Sequence, residues 1–449
     1  MHSSAHYRQL LARLPQIAVP ADQFEVLYST QDFKRRILAL IASATRRIYL
    51  VALYLQDDEA GREILSALYA AKQRNPALDI KLFVDFHRAQ RGLIGKGKQG
   101  GNHLMYQGMA AENEHPIEIY GVPVKGRELL GVLHLKGFIF DDVVLYSGAS
   151  LNDIYLHQQD RYRFDRYHQI TSPELARSMV NYVDDLLVKS DAVQRLDHSD
   201  IPSAKQLKGP IRRFKQSLRK NQYRFSTMPV STQEVAVTPM VGLGKRNNQL
   251  NLMIRNLVRA TEREIFICTP YFNPPKELSK DIEDLLQRGC KVTIVVGDKT
   301  ANDFFIPPEE KFSTIGGLPY LYETNLRKFA ERNQRHIDDG RLNLMLWRCE
   351  RNSYHLKGIF VDDEWALLTG NNLNPRAWAL DLENGLLVHD RRHLLRPQFN
   401  AERDNILANT KRISCLDQVE QVQDYPEQVR KLLGRIHRVK AHLLLKRII

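Results

Sequence analysis

"HLKGFIFDD" at residues 134–142 returns almost unchanged as "HLKGIFVDD" at residues 355–363. A near-copy in each half of one chain suggests that the surrounding sequence is duplicated as well. Ahead of the first copy, "RRIYLVALYL" (46–55) has the apolar, β-branched and aromatic character of a buried strand. "GREILSALYAAKQR" (61–74) has the period of an amphipathic helix, and "DIKLFVDF" (79–86) reads as a second strand. Ahead of the second copy, "REIFICTPYF" (263–272), "KELSKDIEDLLQRG" (276–289) and "CKVTIVVGD" (290–298) follow in the same order. Strand, helix and strand with short connections is the βαβ unit of a mainly parallel sheet. An amphipathic helix precedes each unit ("FKRRILALIASAT" and "LNLMIRNLVRAT"), and "DDVVLYSGASLN" and "DDEWALLTGNNLN" continue the agreement beyond the motifs.

The duplication predicts an α/β chain of two like lobes, each a parallel or mixed sheet flanked by helices. The expected divisions are a first lobe over 1–200, a basic linker or excursion over 201–233, a second lobe over 234–410 and a basic amphipathic helical tail over 411–449. With 449 residues and 43% hydrophobic content the chain is long enough to bury two such lobes. Its 65 Lys and Arg against 52 Asp and Glu leave a net charge of +13, which points to a polyanionic neighbour, either nucleic acid (the ribosome included) or an anionic lipid surface.

Cys268, Cys290, Cys349 and Cys415 have no Cys-x-x-Cys spacing, which argues against a zinc site or a disulfide framework and for a reducing compartment. The first twenty residues lack the apolar core of a signal peptide, and no run approaches the ~18 apolar residues of a membrane span. The expectation is a cytoplasmic protein that attaches peripherally to the inner face of the cell membrane. Residues 201–233 hold eight Lys or Arg and no acid, and read either as a solvated surface or as an anion-binding arm. The tail places Val429, Leu432, Leu433, Ile436, Val439 and Leu443 at helical spacing among basic residues, which suits either an anionic membrane or the chain's own domain.

Side chains two apart on a strand share a face, so His134 with Lys136, and His355 with Lys357, are expected to project together. A strand needs apolar residues and a turn needs Asp, but neither needs His and Lys in both copies. The paired motifs, with Asn152 and Asn374 downstream, resemble the phospholipase D superfamily over nearly the whole chain. One departure stands out: Gly148-Ala149 and Gly370-Asn371 replace the family's usual Gly-Ser. The resemblance implies lobes related by a pseudo-twofold axis, with both His-Lys pairs in one cleft.

Two imidazoles facing a phosphodiester suffice for double displacement: one attacks phosphorus while the other, protonated, gives its proton to the leaving oxygen. Lys136 and Lys357 supply positive charge to the phosphoryl oxygens, and Asn152 and Asn374 supply amide donors, so neither metal nor cofactor is expected. Two like imidazoles must hold opposite protonation states, which calls for a carboxylate partner for each. Asp165 in "RYRFDRYHQI" and Glu383 in "ALDLENGLLV" recur at one place after the Asn, where the family uses an acid. Asp141 and Asp362 fall in turns, where an ion pair or a capping role is expected. The resemblance implies His134 as nucleophile and His355 as acid/base.

Nucleases of the superfamily are often short with one motif, and its cardiolipin synthases usually begin with membrane spans. "SGASLNDIYLHQQDRYRFDRYHQI" (147–170) and "TGNNLNPRAWALDLENGLLVHD" (369–390) are similar to the branch that moves a phosphatidyl group from CDP-diacylglycerol to L-serine, releasing CMP. The alternatives are another phospholipase D-type enzyme or a nuclease. Against nucleic acid, 201–233 offers only Phe214, Tyr223 and Phe225 for stacking. Two loops stand out besides: a glycine-rich basic one over 88–109, which reads either as a mobile loop or as a cradle for a pyrophosphate, and one carrying Phe304, Phe305 and Ile306, suited to insertion in lipid or to packing over the cleft.

Overall fold

The computed structural model of the chain describes residues 3–91, 100–307 and 309–438. In chain order the first strands are β1 (Ile17–Pro20), β2 (Phe24–Leu27), β3 (Arg47–Val51), β4 (Asp79–Asp85), β5 (Glu118–Val122), β6 (Leu133–His134), β7 (Phe138–Phe140), β8 (Val143–Ser147), β9 (Arg163–Phe164), β10 (Tyr167–Thr171) and β11 (Gln194–Arg195). The later ones are β12 (Glu234–Leu243), β13 (Glu264–Cys268), β14 (Lys291–Gly297), β15 (Leu342–Trp347), β16 (Ser353–Tyr354), β17 (Gly358–Val361), β18 (Trp365–Thr369), β19 (Leu382–His389) and β20 (Thr410–Ile413).

Two large sheets repeat one order. The first runs β11-β5-β4-β3-β7-β8-β10-β2, and the second runs β20-β15-β14-β13-β17-β18-β19-β12, with β1 added at its edge. In each, the strand before the helix, the strand after it and the next one pair in parallel, and the motif strand turns the ladder antiparallel. The mixed α/β architecture of two like lobes is the one that the duplicated sequence predicts. Central strands such as "RIYLV" and "EIFIC" are buried along nearly their whole length, as strands covered by helices on both faces must be. The helices between them are Glu59–Arg74, begun by the Asp58 carboxylate accepting from Gly61 N–H, and Lys276–Gln287.

The lobes do not have separate interiors. One apolar cluster runs from Phe33, Leu50 and Phe83 of the first lobe into Trp347, Tyr354 and Leu382 of the second, while a second cluster fills the outer face of the second sheet. The basic stretch after residue 200 contains helix Lys208–Lys220, whose Ile211, Phe214 and Leu218 face is buried in the shared core. At the other end, helix Glu427–Arg438 buries Val429 beside Tyr320 and Tyr425. Val439 and Leu443 of the basic tail lie outside the described residues, as do residues 92–99 of the glycine-rich loop.

The motif itself departs from a continuous strand in one respect. His134 ends β6 and Phe138 begins β7, and the residues between are outside any ladder. The chain changes sheets there, because β6 pairs with β19 of the other lobe whereas β7 pairs with β3 of its own. Gly137 and Gly358 make the bend with φ of 117° and 136°, which a side chain would oppose in both copies.

Asp141 and Asp362 close the motif at φ 53° and 54°, a left-handed region that Asp tolerates. The Asp141 carboxylate accepts from the backbone N–H of Thr45, Arg46 and Arg47 at 2.9, 2.8 and 3.0 Å. Asp362 does the same for Glu262, Arg263 and Glu264 at 2.8, 2.9 and 2.9 Å. Each ties the motif turn to the start of its lobe's first βαβ strand, away from the imidazoles. Asp362→Ala should therefore lower the unfolding free energy by about 2–3 kcal/mol, read by urea denaturation, because it strands three backbone donors.

Candidate functional site

The site lies where the lobes exchange strands. Strand β6 joins the second sheet in parallel with β19, setting His134 opposite Glu383, and β9 pairs with β16, setting Phe164 opposite Tyr354. His134 Nδ1 then lies 2.9 Å from Glu383 Oε2, and His355 Nδ1 lies 2.9 Å from Asp165 Oδ2. Each carboxylate serves the imidazole of the opposite lobe. Both acids read from the sequence are thus brought to the His-Lys pairs, and the crosswise partnership is new.

Lys136 Nζ reaches the Ala149 carbonyl at 3.3 Å. Lys357 Nζ lies 3.4 Å from Asp165 Oδ2, 3.0 Å from His355 Nε2, and in contact with His355 Nδ1. The glycines of "SGAS" and "TGNN" make room for this. A Cβ on Gly370 would stand 2.7 Å from Lys136 Cγ, and one on Gly148 would stand 2.8 Å from an Asp165 oxygen. The residues that replace the family's Ser carry no contact of their own to the imidazoles: Ala149 and Asn371 each donate their backbone N–H to the strand-end hydroxyl of Ser147 or Thr369.

Asn152 and Asn374 sit beside the glycine loops with their carbonyl oxygens committed. Asn152 Oδ1 accepts from Tyr155 N–H at 3.0 Å, and Asn374 Oδ1 caps helix Pro375–Ala379 by accepting from Ala377 N–H at 2.9 Å. Those bonds orient the two amides.

Residues next to the two acids hold the motif from behind, and sequence reasoning missed them. Asn384 accepts from Lys136 N–H and donates to Lys136 C=O, both at 2.8 Å. Arg166 donates to Lys357 C=O at 3.4 Å and pairs with Glu402 at 2.7 and 3.0 Å. Their signal was their place, each directly after an acid in the aligned repeats. Tyr155 lies 3.0 Å from His355 Nδ1, and among the described residues no hydroxyl is paired with His134 in the same way.

Burial and like charge govern the protonation states. His134 is held well below the usual imidazole value by burial, then by Lys136 and Lys357; His355 is held down by burial and Lys357, opposed by Asp303. Burial, with Asp381, pushes Glu383 up, and burial pushes Asp165 up against the pull of Lys357. Lys136 falls to about 7 through burial and the facing Lys357, and Lys357 to about 8 through burial. In the empty site burial and the lysines thus favour the neutral form of both imidazoles. With Nδ1–H donated to a carboxylate, Nε2 keeps the lone pair that a nucleophile or base requires. Among the described residues, no three His, Cys, Asp or Glu side chains converge as metal ligands.

Two buried His-Lys motifs, each imidazole held by an acid of the opposite lobe, define an enzyme of the phospholipase D type. Residues 253–406 match the family model described as cardiolipin synthase, phospholipase D-like domain. The chain is 47% identical to the CDP-diacylglycerol–serine O-phosphatidyltransferase of Haemophilus influenzae over 98% of each protein. It is 48% identical to that of Escherichia coli K12 over 99% of this chain and 98% of that one. The crystal structure of phosphatidylserine synthase from Haemophilus influenzae superposes with a TM-score of 0.96 at 46% identity, covering all of both chains. The chain belongs to the CDP-diacylglycerol–serine O-phosphatidyltransferase family.

The ammonium forms of Lys136 and Lys357 are present in the empty site only below their pKa values. The kcat/KM for the phosphodiester should therefore fall as pH rises through about 7 to 8. The kcat should hold to higher pH, because a bound phosphate anion favours the charged lysines. Glu383→Gln, which keeps shape but loses the carboxylate charge beside Nδ1–H, should reduce kcat roughly a thousandfold with an unchanged melting temperature.

Proposed function

We propose that this chain transfers a phosphatidyl group from CDP-diacylglycerol to L-serine by double displacement. His134 Nε2 attacks the phosphorus that bears diacylglycerol. The bond to the CMP oxygen breaks, and His355, protonated at Nε2 once the phosphodiester anion is bound, gives that oxygen its proton. In the second half His355 takes the proton of the serine hydroxyl, the hydroxyl oxygen attacks phosphorus, and the phosphorus–nitrogen bond breaks to free phosphatidylserine and His134. Lys136 and Lys357 balance the phosphoryl charge through both halves. The observation that carries the chemistry is the pair of buried imidazoles, each with Nδ1 on a carboxylate; near full-length similarity to named serine phosphatidyltransferases carries the substrates.

Tyr155 and Asp303 bear on His355 alone, which supports giving the acid/base role to that side. Phe304 packs on the Tyr271 ring, and Phe305 against the Tyr320 and Tyr425 cluster, which favours packing over lipid insertion for that loop. Lipid contact is better supported at Leu129 and Leu130, which are 61% and 48% exposed on the turn just before β6. Arg376 grips the carbonyls of Glu128 and Leu129 from the second lobe. No described helix is long and apolar enough to cross a membrane. We place the enzyme's work at the inner membrane surface, with this turn facing anionic lipid.

Given CDP-diacylglycerol without serine, the protein should release CMP slowly and form phosphatidic acid, and a rapid quench with labelled lipid should leave the phosphatidyl label on His134. Label on His355, or an absolute serine requirement for CMP release, would contradict the scheme. Replacing both Leu129 and Leu130 with Ser should lower sedimentation with anionic liposomes about tenfold or more, while turnover of substrate in detergent micelles falls far less.

A further inference from the structure

A buried ion pair next to His355 has no part in the phosphoryl steps. Arg163 lies two residues before Asp165, on the strand that pairs with β16 ahead of His355. Its Nε is 2.8 Å from Asp303 Oδ1, and the side chains are only 14% and 10% exposed. Asp303 Oδ2 accepts from the Tyr271 hydroxyl at 2.8 Å. Oδ1 is wholly buried and has no N–H aligned on it despite the close guanidinium. The pair is walled by aromatic rings: Arg163 lies 4.5 Å over Tyr155, whose hydroxyl touches His355, and the Tyr271 ring meets the His355 ring edge-on at 6.4 Å. Asp303 stays ionised, since burial raises its pKa but Arg163 and His355 outweigh it.

Taking such a pair out of water is costly, and a hydrophobic pair would serve packing as well. Its position decides what it is for. In the scheme above, the side of His355 receives first the leaving CMP and then the acceptor. A carboxylate there repels an anion such as CMP. A zwitterion, by contrast, brings one charge for each member of the pair, so opening the pair around it leaves no charge unmatched.

We propose that Asp303 and Arg163 form the acceptor subsite, Asp303 taking the α-ammonium and Arg163 the α-carboxylate of L-serine, with the serine hydroxyl presented to His355. The inference rests on the phosphatidyl-transfer reading and adds the residues that choose the acceptor. An acceptor lacking either charge leaves one member of the opened pair unmatched, which is the penalty that gives selectivity.

The test compares two reactions of the full-length protein in mixed micelles. Exchange of labelled CMP into CDP-diacylglycerol uses the first half-reaction only, and transfer to serine uses both. In Asp303→Asn, kcat/KM for serine should fall about 100-fold further than the exchange rate, mostly through KM. The preference for serine over 3-hydroxypropanoate, which lacks the ammonium, should collapse as well. Tyr271→Phe, which removes only the hydroxyl that orients Asp303, should raise the serine KM about tenfold and covers the case in which Asp303→Asn does not fold. A parallel loss of exchange and transfer, an unchanged serine KM or an undiminished serine preference would overturn the subsite. Absence of CMP exchange in the unaltered protein would instead overturn the covalent scheme, while the serine KM of the variants still reads the subsite.

Discussion

Each buried imidazole is held by a carboxylate from the opposite lobe, and the rest of the molecule is arranged around that exchange. For His134 and Glu383 to meet, β6 must leave its own sheet and pair with β19, and for His355 and Asp165 to meet, β16 must pair with β9. The glycine bend after each Lys, the bare glycines over Lys136 and Asp165, and the core that crosses from lobe to lobe all follow from bringing two sheets this close. Neither lobe holds a complete pair by itself. Duplication thus yields one site rather than two.

Burial is the second constraint. Two lysines, two histidines and two carboxylates out of water would be unstable if each kept its solution charge. The shifts that burial imposes show the compromise: imidazoles and lysines pushed down, carboxyls pushed up. In the proposed reaction an entering phosphodiester meets lysines that gain charge and imidazoles that exchange protons. Symmetry is broken by Tyr155 and the Arg163–Asp303 pair on the side of His355, by Arg376 towards His134, and in the lysines, Lys136 reaching the Ala149 carbonyl and Lys357 reaching Asp165. In the proposed reaction these differences distinguish the two ends of an in-line displacement.

Much of this was legible in the residues. The order of strands and helices, the βαβ units and the His-Lys pairs follow from periodicity and repetition, because those signals act over a few residues along the chain. The acids were found by aligning the halves. The expectation of a single strand through His134 and Lys136 did not survive, since the strand stops where its partner changes lobe. Asn384 and Arg166, which grip the motif backbone, look like ordinary polar residues until the opposite lobe is in place.

The sequence by itself determined a duplicated α/β chain with two imidazole-ammonium pairs, because hydrophobic period and a repeated motif are properties of the linear order. Only the tertiary structure decided which acid serves which histidine, and which unrepeated residues stand beside His355. Those partnerships join residues 249 and 190 positions apart. No local propensity records such a contact, and it exists only once two sheets have packed and traded strands.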